Sequence, residues 1–463
     1  MTTKPRTVAV ILAGGIGVRV GLGIPKQLIK IAGKAIVEHT LEVLEASSHI
    51  DEILIVMNAG SLRELDELKD RQRFPKLTRI IPGGDTRNDS TQAALAVLDD
   101  DPRTKVLFHD AVRPFVDDRI LRDCVDALDD YEAVDTAIPS ADTIIQVDSA
   151  SHITRIPDRS QLRRGQTPQA FRLGTIRHAY ELANQDRSFH ATDDCGVVFT
   201  YLPDVPIYVV DGTPENMKVT EPIDVHIADK LFQLQSESLS ASPESPDLTG
   251  KTIVVFGGSY GIGASIVELA RAAGADVHEF SRSSTGTDVR FRGRVKKALK
   301  SVYEKTGKID AVIMSAGVLR VGPLATTKVR DIETSIETNF LAPVIVSRAA
   351  HRYLRETHGQ VLLFTSSSYT RGRANYGVYS ASKAAVVNLT QALAEEWADD
   401  EVRINCINPQ RTKTPMREAA FGDEPAGTLL DADIVASVSL RVLASAITGQ
   451  IVTVRVEQPE PQS

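Results

Sequence analysis

The sequence predicts an α/β protein with two doubly wound domains, each built on a parallel sheet with helices on both faces. Three observations predict this fold class. The chain has 463 residues, which is too long for one ordinary hydrophobic core. Both halves alternate helical segments with near-continuous apolar runs, which are typical of buried parallel strands. One Ser-, Glu- and Pro-rich stretch interrupts this alternation, so we expect the chain to divide there.

Short apolar runs predict four buried strands in each half. Between the first two strands of the second half, apolar residues from Ile262 to Ala273 recur at helical spacing, which indicates a helix packed on the sheet. The strands predicted in the first half are Thr7–Leu12, Glu52–Met57, Lys105–Phe108 and Ile207–Val210, and those predicted in the second half are Thr252–Phe256, Ile309–Met314, Val361–Phe364 and Val402–Ile407.

The dividing stretch extends from Gln233 to Gly250 and contains few large apolar residues. Such a stretch cannot bury enough surface to offset the entropy of ordering it. The alternative is a long surface loop within one domain, but long structureless loops are uncommon in compact domains. We therefore expect a first domain at residues 1–234, a linker at 235–247 and a second domain at 248–463.

Composition indicates a cytoplasmic protein that acts on small molecules. Lys and Arg number 53 and Asp and Glu 61, and the net charge of −8 argues against a nucleic-acid or anionic-membrane partner. Cys124, Cys195 and Cys406 are far apart, which excludes a disulfide framework and a thiolate zinc site. We find neither a signal-peptide pattern nor an apolar run of the ~20 residues that a membrane helix needs.

A glycine-rich turn follows the first predicted strand. Ala13, Gly14 and Gly15 leave little side-chain bulk, so backbone N–H groups can approach phosphate oxygens. Arg19 and Lys26 then add two positive charges. A glycine-rich turn alone is often structural, and the Walker pattern is absent. The turn together with both cations indicates a site for nucleotide phosphates.

Further polar segments in the first half follow at intervals that suit the same site. The segment from His109 to Pro114 follows the third strand, at the sheet edge where open α/β sheets bind ligands. Neighbours on a strand point to opposite faces, so we do not expect His109 and Asp110 to form a catalytic dyad. The other segments are Pro82–Ser90, Thr167–Gln169, Thr192–Asp194 and Asn216–Thr220.

In content and order, these motifs resemble the cytidylyltransferases that activate polyol phosphates, a group that includes methylerythritol-phosphate and ribitol-phosphate cytidylyltransferases. The resemblance extends over about residues 6–232. It implies that CTP is a substrate, that Mg²⁺ assists, and that the protein is a homodimer. Such a transfer needs fixed positive charge around the phosphates, because charge develops on oxygens that do not bond to the protein.

The resemblance also assigns roles to individual residues. Arg19, Lys26 and Lys218 would surround the triphosphate. Asp110 is either a Mg²⁺ ligand or a partner of the ribose, and the sequence leaves both open. The remaining contacts with cytosine, ribose and phosphates are implied for Ala13, Gly14, Gly15, Gly84, Asp85, Arg87, Ser90, Ala111 and Arg113, and the acceptor's phosphate would be held by Thr143, Arg159 and Thr192.

The second half contains another glycine-rich turn, between a predicted strand and a helix. This context places a dinucleotide pyrophosphate on a helix N-terminus. The spacing of the glycines alone is modest support for such a site. The residues of the turn are Gly257, Ser259, Gly261, Ile262 and Gly263.

Four polar residues downstream decide the chemistry of this half. Tyr379 and Lys383 are four residues apart and share one helix face, while Ser366 follows the third predicted strand and Asn339 precedes it. Residues 248–463 are thereby similar to the short-chain dehydrogenases/reductases. The resemblance implies that Tyr379 donates a proton, that Lys383 lowers the pKa of Tyr379 and binds the nicotinamide ribose, that Ser366 holds the carbonyl oxygen and that Asn339 holds a relay water.

A further strand, predicted at Ala275–Phe280, indicates the cofactor by the residues that follow it. Ser281 and Arg282 stand there without an acidic residue that would bind a ribose 2′-hydroxyl, so we expect them to bind the 2′-phosphate of NADPH. The alternative is that Arg282 is an ordinary surface residue. The resemblance places Asp288 and Val289 by the adenine, and Ala316 and Gly317 by the ribose.

The pairing of the two chemistries suggests a substrate. A reductase makes an alcohol from a ketone, and a cytidylyltransferase attaches CMP to a polyol phosphate. Domain order and length resemble bacterial capsule-synthesis enzymes that reduce D-ribulose 5-phosphate to D-ribitol 5-phosphate and convert it to CDP-ribitol. Another sugar phosphate or methylerythritol phosphate is the alternative substrate. A non-enzymatic reading, in which one half is a degenerate binding module, is weak because neither half lacks its charged residues.

Overall fold

The computed structural model describes residues 5–14, 25–63, 74–187, 189–235, 245–425 and 427–455. The chain forms two compact units, Met1–Ala228 and Asp229–Ser463. The division falls within a helix, a little before the predicted domain end at 234. Residues 236–244, most of the predicted linker, lie outside the described ranges. Each unit is α/β, as predicted.

The first unit contains one large sheet and two short hairpins. Its strands are β1 (Thr7–Ala13), β2 (Lys30–Ile31), β3 (Lys34–Ala35), β4 (Glu52–Met57), β5 (Leu77–Pro82), β6 (Lys105–Asp110), β7 (Ala133–Pro139), β8 (Gln146–Val147), β9 (Ile153–Arg155), β10 (Arg163–Gly165), β11 (Gln169–Arg172) and β12 (Ile207–Asp211). Its helices are α1 (Ile36–Ala46), α2 (Arg87–Val97), α3 (Asp118–Ala127), α4 (Leu173–Ala183), α5 (Asp194–Tyr201) and α6 (Pro222–Gln235), the last of which crosses the division.

Both faces of this sheet are covered. The side chains of β1 alternate between two hydrophobic clusters: Ala9 and Ile11 belong to one cluster, and Val8 and Val10 to the other. A strand can contribute to two clusters in this way only when each face of its sheet packs against other elements. This explains why the strand is apolar at consecutive positions.

The sheet of the first unit is mixed rather than purely parallel, which differs from the prediction. The strand order is β10-β7-β11-β6-β1-β4-β5, and β12 also pairs with β7. Strands β10 and β11 run antiparallel to their neighbours. The prediction that Ile207–Val210 is a buried strand was also wrong, because β12 pairs with β7 alone and leaves Tyr208 43% and Val209 45% exposed.

The second unit contains a six-stranded sheet in which every pairing is parallel, in the order β14-β13-β15-β16-β17-β18. The strands are β13 (Thr252–Phe256), β14 (Asp276–Phe280), β15 (Ala311–Met314), β16 (Gln360–Phe364), β17 (Arg403–Pro409) and β18 (Ile451–Val454). The helices are α7 (Gly261–Ala272), α8 (Arg292–Thr306), α9 (Val329–Ile336), α10 (Ala342–Leu354), α11 (Gly377–Glu396), α12 (Pro415–Phe421) and α13 (Ala432–Ala444).

In both units the strand order reverses beside the first strand. The neighbours of β1 are β4 and β6, and those of β13 are β14 and β15. The connections therefore leave to opposite sides and open a crevice at the carboxyl end of the sheet, where such folds bind ligands. Across the described ranges, we find no helix with the length and apolarity to cross a membrane. The three cysteines are free and buried.

Candidate active sites

The crevice at the carboxyl end of β1 is a cavity in the first unit. It gathers residues from the end of β1, from the segment after β6, and from the loop that leads into α2. The cavity is lined by Leu12, Ala13, Gly14, Lys26, Gln27, Gly84, Asp85, Thr86, Arg87, Ser90, Asp110, Ala111, Val112 and Lys218. Most residues predicted to contact the nucleotide lie here, whereas Gly15 and Arg19 fall outside the described ranges.

Asp110 is the electrostatic centre of this cavity. It is 6% exposed, and its carboxylate accepts hydrogen bonds from Arg87 Nη1 at 2.7 Å and Arg113 Nε at 3.2 Å. Lys218 Nζ lies 3.0 Å from Oδ2 of the same carboxylate. Burial alone would raise the pKa of Asp110, but the three positive charges outweigh it and hold the pKa well below its usual value.

Arg87 connects this centre to a second carboxylate that the sequence analysis missed. Its Nη2 donates to Asp194 Oδ2 at 2.9 Å, and Asp194 is fully buried. The hydroxyl of Tyr180 donates to the other oxygen of Asp194 at 2.8 Å. Asp194 thus fixes the guanidinium from one side while Asp110 holds it from the other. The sequence offered only the polar segment Thr192–Asp194 as a signal for this contact.

The loop before α2 requires glycine for steric reasons. A Cβ on Gly84 would lie 2.2 Å from Cβ of Asp89, and one on Gly83 would lie 2.7 Å from Oγ of Ser90. The helix begins with a capping box, in which Thr86 accepts from the backbone N–H of Asp89 and Asp89 accepts from that of Thr86. This packing brings Asp85 and Ser90 to the cavity wall.

His109 has a structural position next to the cavity. Its Nδ1 lies 3.0 Å from the hydroxyl of Thr167 and its Nε2 lies 3.1 Å from the carbonyl oxygen of Arg113. The same hydroxyl accepts the backbone N–H of Asp110 at 3.0 Å. Burial lowers the pKa of His109 to about 4, so the ring is neutral near pH 7. The bonds at its two nitrogens hold the segment that presents Asp110.

The residues predicted to hold the acceptor's phosphate do not line this cavity. Thr143, Arg159 and Thr192 are all exposed. Arg159 donates a hydrogen bond to the carbonyl oxygen of Ala141 at 3.2 Å. Within this unit alone, the structure therefore assembles the nucleotide half of the predicted site and leaves the acceptor residues on its surface.

In the second unit, glycines shape the turn between β13 and α7. Gly257 has a φ of +93°, and a Cβ there would lie 2.5 Å from the backbone nitrogen of Ala316. A Cβ on Gly263 would lie 2.1 Å from the carbonyl oxygen of Gly257. The N-terminal turn of α7, including Gly261 and Ile262, can therefore pack tightly against the end of the strand and present N–H groups to a pyrophosphate.

Hydroxyl groups surround the end of β14, where the sequence predicts a 2′-phosphate site. The buried Ser281 Oγ lies 3.0 Å from Ser283 Oγ and 2.8 Å from Ser284 Oγ. Ser283 donates in turn to Ser259 of the glycine turn at 3.0 Å. Arg282 is exposed beside them. The donor set of hydroxyls and a guanidinium fits a phosphate dianion.

The two residues predicted to lie by the adenine have different surroundings. Asp288 is buried and forms an ion pair with Arg290, whose Nη2 lies 2.7 Å from Oδ2. The hydrogen bonds from Arg290 lower the pKa of Asp288. Val289 packs in the hydrophobic core below the crevice. Ala316 and Gly317, which are predicted to lie by the ribose, come one residue after the end of β15, and Gly317 lies close to Asn339.

The structure brings together the four residues of the predicted reductase site. Ser366 follows β16 and lines the same cavity as Tyr379 on α11. Lys383, one turn further along α11, has its Nζ 5.9 Å from the centre of the Tyr379 ring and donates to the carbonyl oxygen of Phe364 at 2.8 Å. Asn339 is fully buried in a π-helical turn, where its side chain both donates to and accepts from the backbone of Val318.

One electrostatic expectation for this site was wrong. We expected the charge of Lys383 to bring the pKa of Tyr379 down towards the working pH, but the net shift of this pKa in the structure is upwards. Burial is the largest cause, and the hydroxyl of Ser366 and the charge of Arg417 oppose it only in part. Burial also lowers the pKa of Lys383 to about 8. Desolvation therefore has the larger effect on both groups.

Comparisons with known proteins match each half of the chain to a family. Residues 7–234 match the family model of 2-C-methyl-D-erythritol 4-phosphate cytidylyltransferases, and residues 283–425 match that of short chain dehydrogenases. The bifunctional ribulose 5-phosphate reductase/CDP-ribitol pyrophosphorylase of Haemophilus influenzae is 46% identical over 99% of this chain and 97% of its own length. The chain belongs to this bifunctional family. It is an enzyme with a cytidylyltransferase domain and a short-chain reductase domain.

Other relatives match the first domain of this family alone. The 2-C-methyl-D-erythritol 4-phosphate cytidylyltransferase of Thermobifida fusca is 46% identical over 50% of this chain and 94% of its own length. The ribitol-5-phosphate cytidylyltransferase of Lactiplantibacillus plantarum is 32% identical over 49% of this chain and 99% of its own length.

Solved structures cover each half of the chain separately. The 4-diphosphocytidyl-2C-methyl-D-erythritol synthase of Anaerococcus prevotii has 31% identity and a TM-score of 0.44, and covers 50% of this chain and 99% of its own. A short chain dehydrogenase of Burkholderia cenocepacia, solved with NADP, has 29% identity and a TM-score of 0.42. It covers 45% of this chain and 97% of its own.

Proposed function

We propose that this enzyme reduces D-ribulose 5-phosphate to D-ribitol 5-phosphate with NADPH and then transfers CMP from CTP to give CDP-ribitol and pyrophosphate. The observation that carries the proposal is the presence of both assembled sites in one chain whose full length matches the H. influenzae enzyme at 46% identity. CDP-ribitol would serve the synthesis of a capsule or a related ribitol-phosphate polymer. Both reactions would take place in the cytoplasm, where CTP and NADPH are available.

In the reduction, Tyr379 supplies the proton and Ser366 positions the substrate. NADPH, when bound, supplies the hydride that adds to the carbonyl carbon. The raised pKa of Tyr379 keeps its hydroxyl protonated, which suits a proton donor to the carbonyl oxygen. The Ser366 hydroxyl, which lines the same cavity as Tyr379, would donate to the same oxygen. The product is the secondary alcohol.

Lys383 and Asn339 would support this proton transfer. With a pKa of about 8, Lys383 is charged at pH 7 and stabilises the phenolate that forms on Tyr379. Lys383 would also bind the nicotinamide ribose. The side chain of Asn339 already forms two hydrogen bonds with Val318, so a relay water would bind its main chain rather than its amide.

In the cytidylyl transfer, fixed cations carry most of the catalysis. A phosphate oxygen of the polyol attacks the α-phosphorus of CTP, the bond to the β-phosphate oxygen breaks, and pyrophosphate leaves. Lys26 and Lys218 line the cavity and would neutralise the charge that develops on these oxygens. We assign the same role to Arg19. Gly84, Asp85 and Ser90 form the wall that would receive the cytosine.

Mg²⁺ fits this site on one condition. The ion commonly binds through one or two carboxylates together with substrate phosphates and water, and Asp110 offers one carboxylate to the cavity. In the structure that carboxylate already forms ion pairs with Arg87, Arg113 and Lys218, so one of them must move before Asp110 can bind a metal ion. We propose that Lys218 transfers to the triphosphate when CTP binds, which leaves Asp110 to hold the metal.

We propose NADPH as the cofactor because of the hydroxyl cluster at Ser281 and the adjacent Arg282. Arg282→Glu would place a carboxylate against the 2′-phosphate, and we expect KM for NADPH to rise and KM for NADH to fall. Steady-state kinetics with both cofactors tests this assignment. Unchanged values for both would show that Arg282 is an ordinary surface residue.

We propose that the enzyme is a homodimer whose partner completes the acceptor site. The first unit has an arm, residues 144–156, that contains β8 and β9. The arm exposes apolar side chains, and contact of such side chains with water is unfavourable. A partner subunit packed on this arm would lie next to the exposed Thr143 and Arg159. These two residues and the exposed Thr192 would then hold the acceptor's phosphate. These apolar residues, 43–61% exposed, are Ile144, Ile145, Val147, Ile153 and Ile156.

A different polyol phosphate is the alternative substrate of the transfer reaction. Methylerythritol phosphate is favoured by the family model that residues 7–234 match and by the identity with the T. fusca enzyme. Pyrophosphate release from CTP with D-ribitol 5-phosphate and with methylerythritol phosphate separates the two. We expect kcat/KM to be higher for D-ribitol 5-phosphate, and the opposite order would replace the proposed acceptor.

Two variants test the assignment of one reaction to each site. Tyr379→Phe removes the proton donor and is expected to abolish NADPH oxidation while CTP-dependent pyrophosphate release from D-ribitol 5-phosphate continues. Lys26→Ala removes a phosphate contact and is expected to have the reverse effect. Loss of both reactions in either variant, with the fold intact by circular dichroism, would contradict two independent sites.

A further inference from the structure

A small cavity opens in front of the reductase residues Ser366 and Tyr379. Its volume is about 120 Å³, and Tyr376, Met416 and Phe421 form part of its wall. Three of the residues that line it are arginines, Arg373, Arg411 and Arg417, and none of its described lining residues is acidic. A carbonyl group alone does not require such a concentration of positive charge.

Arg417 is held in place by neighbours of its own. Its guanidinium forms two hydrogen bonds with Glu424, one of them at 2.8 Å, and lies 4.8 Å from the centre of the Phe421 ring. The Phe421 ring stacks with Tyr376 at 5.9 Å. This stack forms a wall of the cavity, and Glu424 neutralises the charge of the arginine within it.

Arg373 and Arg411 retain their positive charge towards the cavity. Both are exposed, and within the described ranges neither guanidinium has an ion pair at 4 Å or less. The pKa of Glu424 is lowered mainly by its hydrogen bonds from Arg417, and the charge of Arg411 lowers it further. One carboxylate thus faces three guanidinium groups, which leaves an excess of two positive charges. That excess matches the charge of a phosphate monoester dianion.

We propose that Arg373 and Arg411 bind the phosphate of the ketose phosphate and so select phosphorylated substrates for the reductase. The inference rests on the proposed function and names residues for its substrate. In a 2-keto pentose 5-phosphate, the phosphate is three carbons from the carbonyl, so one small cavity can hold both ends. Arginine suits this task because its planar fork donates two parallel hydrogen bonds to phosphate oxygens.

The location of these arginines separates them from the cofactor's phosphates. The hydroxyl cluster of Ser259 and Ser281 and the turn at Gly257 do not line this cavity, and of the residues predicted for the cofactor only Ile262 does. The phosphate subsite is therefore expected to affect the ketose and not NADPH.

The experiment compares D-ribulose 5-phosphate with D-ribulose in the full-length enzyme. Arg373→Gln, Arg411→Gln and the double variant remove charge and preserve most of the side-chain length. Each single variant should lower kcat/KM for D-ribulose 5-phosphate roughly ten-fold or more, as expected for a lost charge-assisted hydrogen bond. The value for D-ribulose and KM for NADPH should not change. Arg371→Gln is the matched control, because Arg371 is exposed on the same loop and does not line the cavity.

The outcomes separate the subsite from the proposed substrate. Equal losses with both ketoses, or no loss with either, would overturn the subsite. A wild-type enzyme that reduces a different ketose phosphate, with the same losses in the variants, would replace the proposed substrate and support the subsite. A wild-type enzyme that reduces D-ribulose as efficiently as its phosphate, or reduces no phosphorylated ketose, would overturn the subsite.

Discussion

At the scale of single residues, Asp110 pairs with three cationic side chains at the candidate nucleotide cavity. Its carboxylate is the shared partner of Arg87, Arg113 and Lys218. Asp110→Asn would remove the carboxylate partner of Arg113 and leave Arg87 with Asp194 alone. Breaking a buried ion pair costs about 3–5 kcal/mol. We expect the free energy of unfolding of the first unit to fall by that amount in urea titrations.

The control for this prediction is Asp101→Asn. Asp101 also pairs with an arginine, Arg103, but on the surface. Surface pairs contribute little to stability, so this variant should unfold close to the wild type. If Asp110→Asn is no less stable than Asp101→Asn, the buried charge cluster does not support the fold in the way described.

The pKa of Lys383 predicts how the reductase activity falls at alkaline pH. Its pKa is lowered to about 8 by burial, so its ammonium is present below pH 8 and is lost as the pH rises through that value. Tyr379, with its raised pKa, remains protonated over the same range. We expect kcat/KM for NADPH to fall above about pH 8, towards tenfold per pH unit.

Lys383→Arg is the matched variant for the pH profile. The guanidinium keeps its charge at high pH, so the limb should move to higher pH in the activity that remains. A limb that stays at the same pH in Lys383→Arg would show that another group sets it.

Sequence reasoning found the residue types of both sites but not all of their partners. Lys26 and Lys218 could be predicted because they stand in recognisable motifs. The buried contacts of Asp194 with Arg87 and Tyr180 could not, since they join segments distant in sequence. The raised pKa of Tyr379 was also missed, because burial depends on the packed fold and not on the four-residue spacing to Lys383.

At the scale of elements, the loop before α2 has no room for a side chain at Gly84. Gly84→Ala would place a Cβ 2.2 Å from that of Asp89, which is part of the capping box of the helix. The loop or the helix must shift, and we expect KM for CTP to rise several-fold. Stability should fall by about 1–3 kcal/mol, as is typical of overpacking.

Gly165→Ala provides the comparison in the same unit. A Cβ at this position in β10 would meet its nearest neighbour at 3.8 Å, an ordinary contact. This variant should keep the wild-type KM for CTP and its stability. Equal behaviour of the two variants in kinetics and thermal unfolding would contradict the steric account of the loop.

Element prediction succeeded where apolar runs are long and failed for the short antiparallel strands and for β12 of the first sheet. Strands β1, β4 and β13 are buried on both faces, and their composition shows it. Strands β10 and β11 are only three and four residues long, and short strands of mixed polarity have no distinctive pattern. Strand β12 is apolar like a buried strand although Tyr208 and Val209 are exposed.

At the scale of the whole molecule, one chain contains two crevices, each at the point where the strand order of a sheet reverses, and the two differ in chemistry. In the first unit, three cationic side chains surround Asp110 in a cavity suited to a triphosphate. In the second, Ser366, Tyr379 and Lys383 stand beside a glycine turn suited to a dinucleotide. The alcohol that the second unit forms is the acceptor that the first unit needs, so the two reactions are consecutive.

The measurement that tests this account most directly follows both reactions in one tube. NADPH absorbance is recorded with D-ribulose 5-phosphate, with and without CTP and Mg²⁺, and pyrophosphate is assayed in the same samples. We predict that NADPH is consumed in both cases and that pyrophosphate appears only when CTP, D-ribulose 5-phosphate and NADPH are all present. Pyrophosphate release without NADPH, or no NADPH consumption with D-ribulose 5-phosphate, would contradict the coupled pathway.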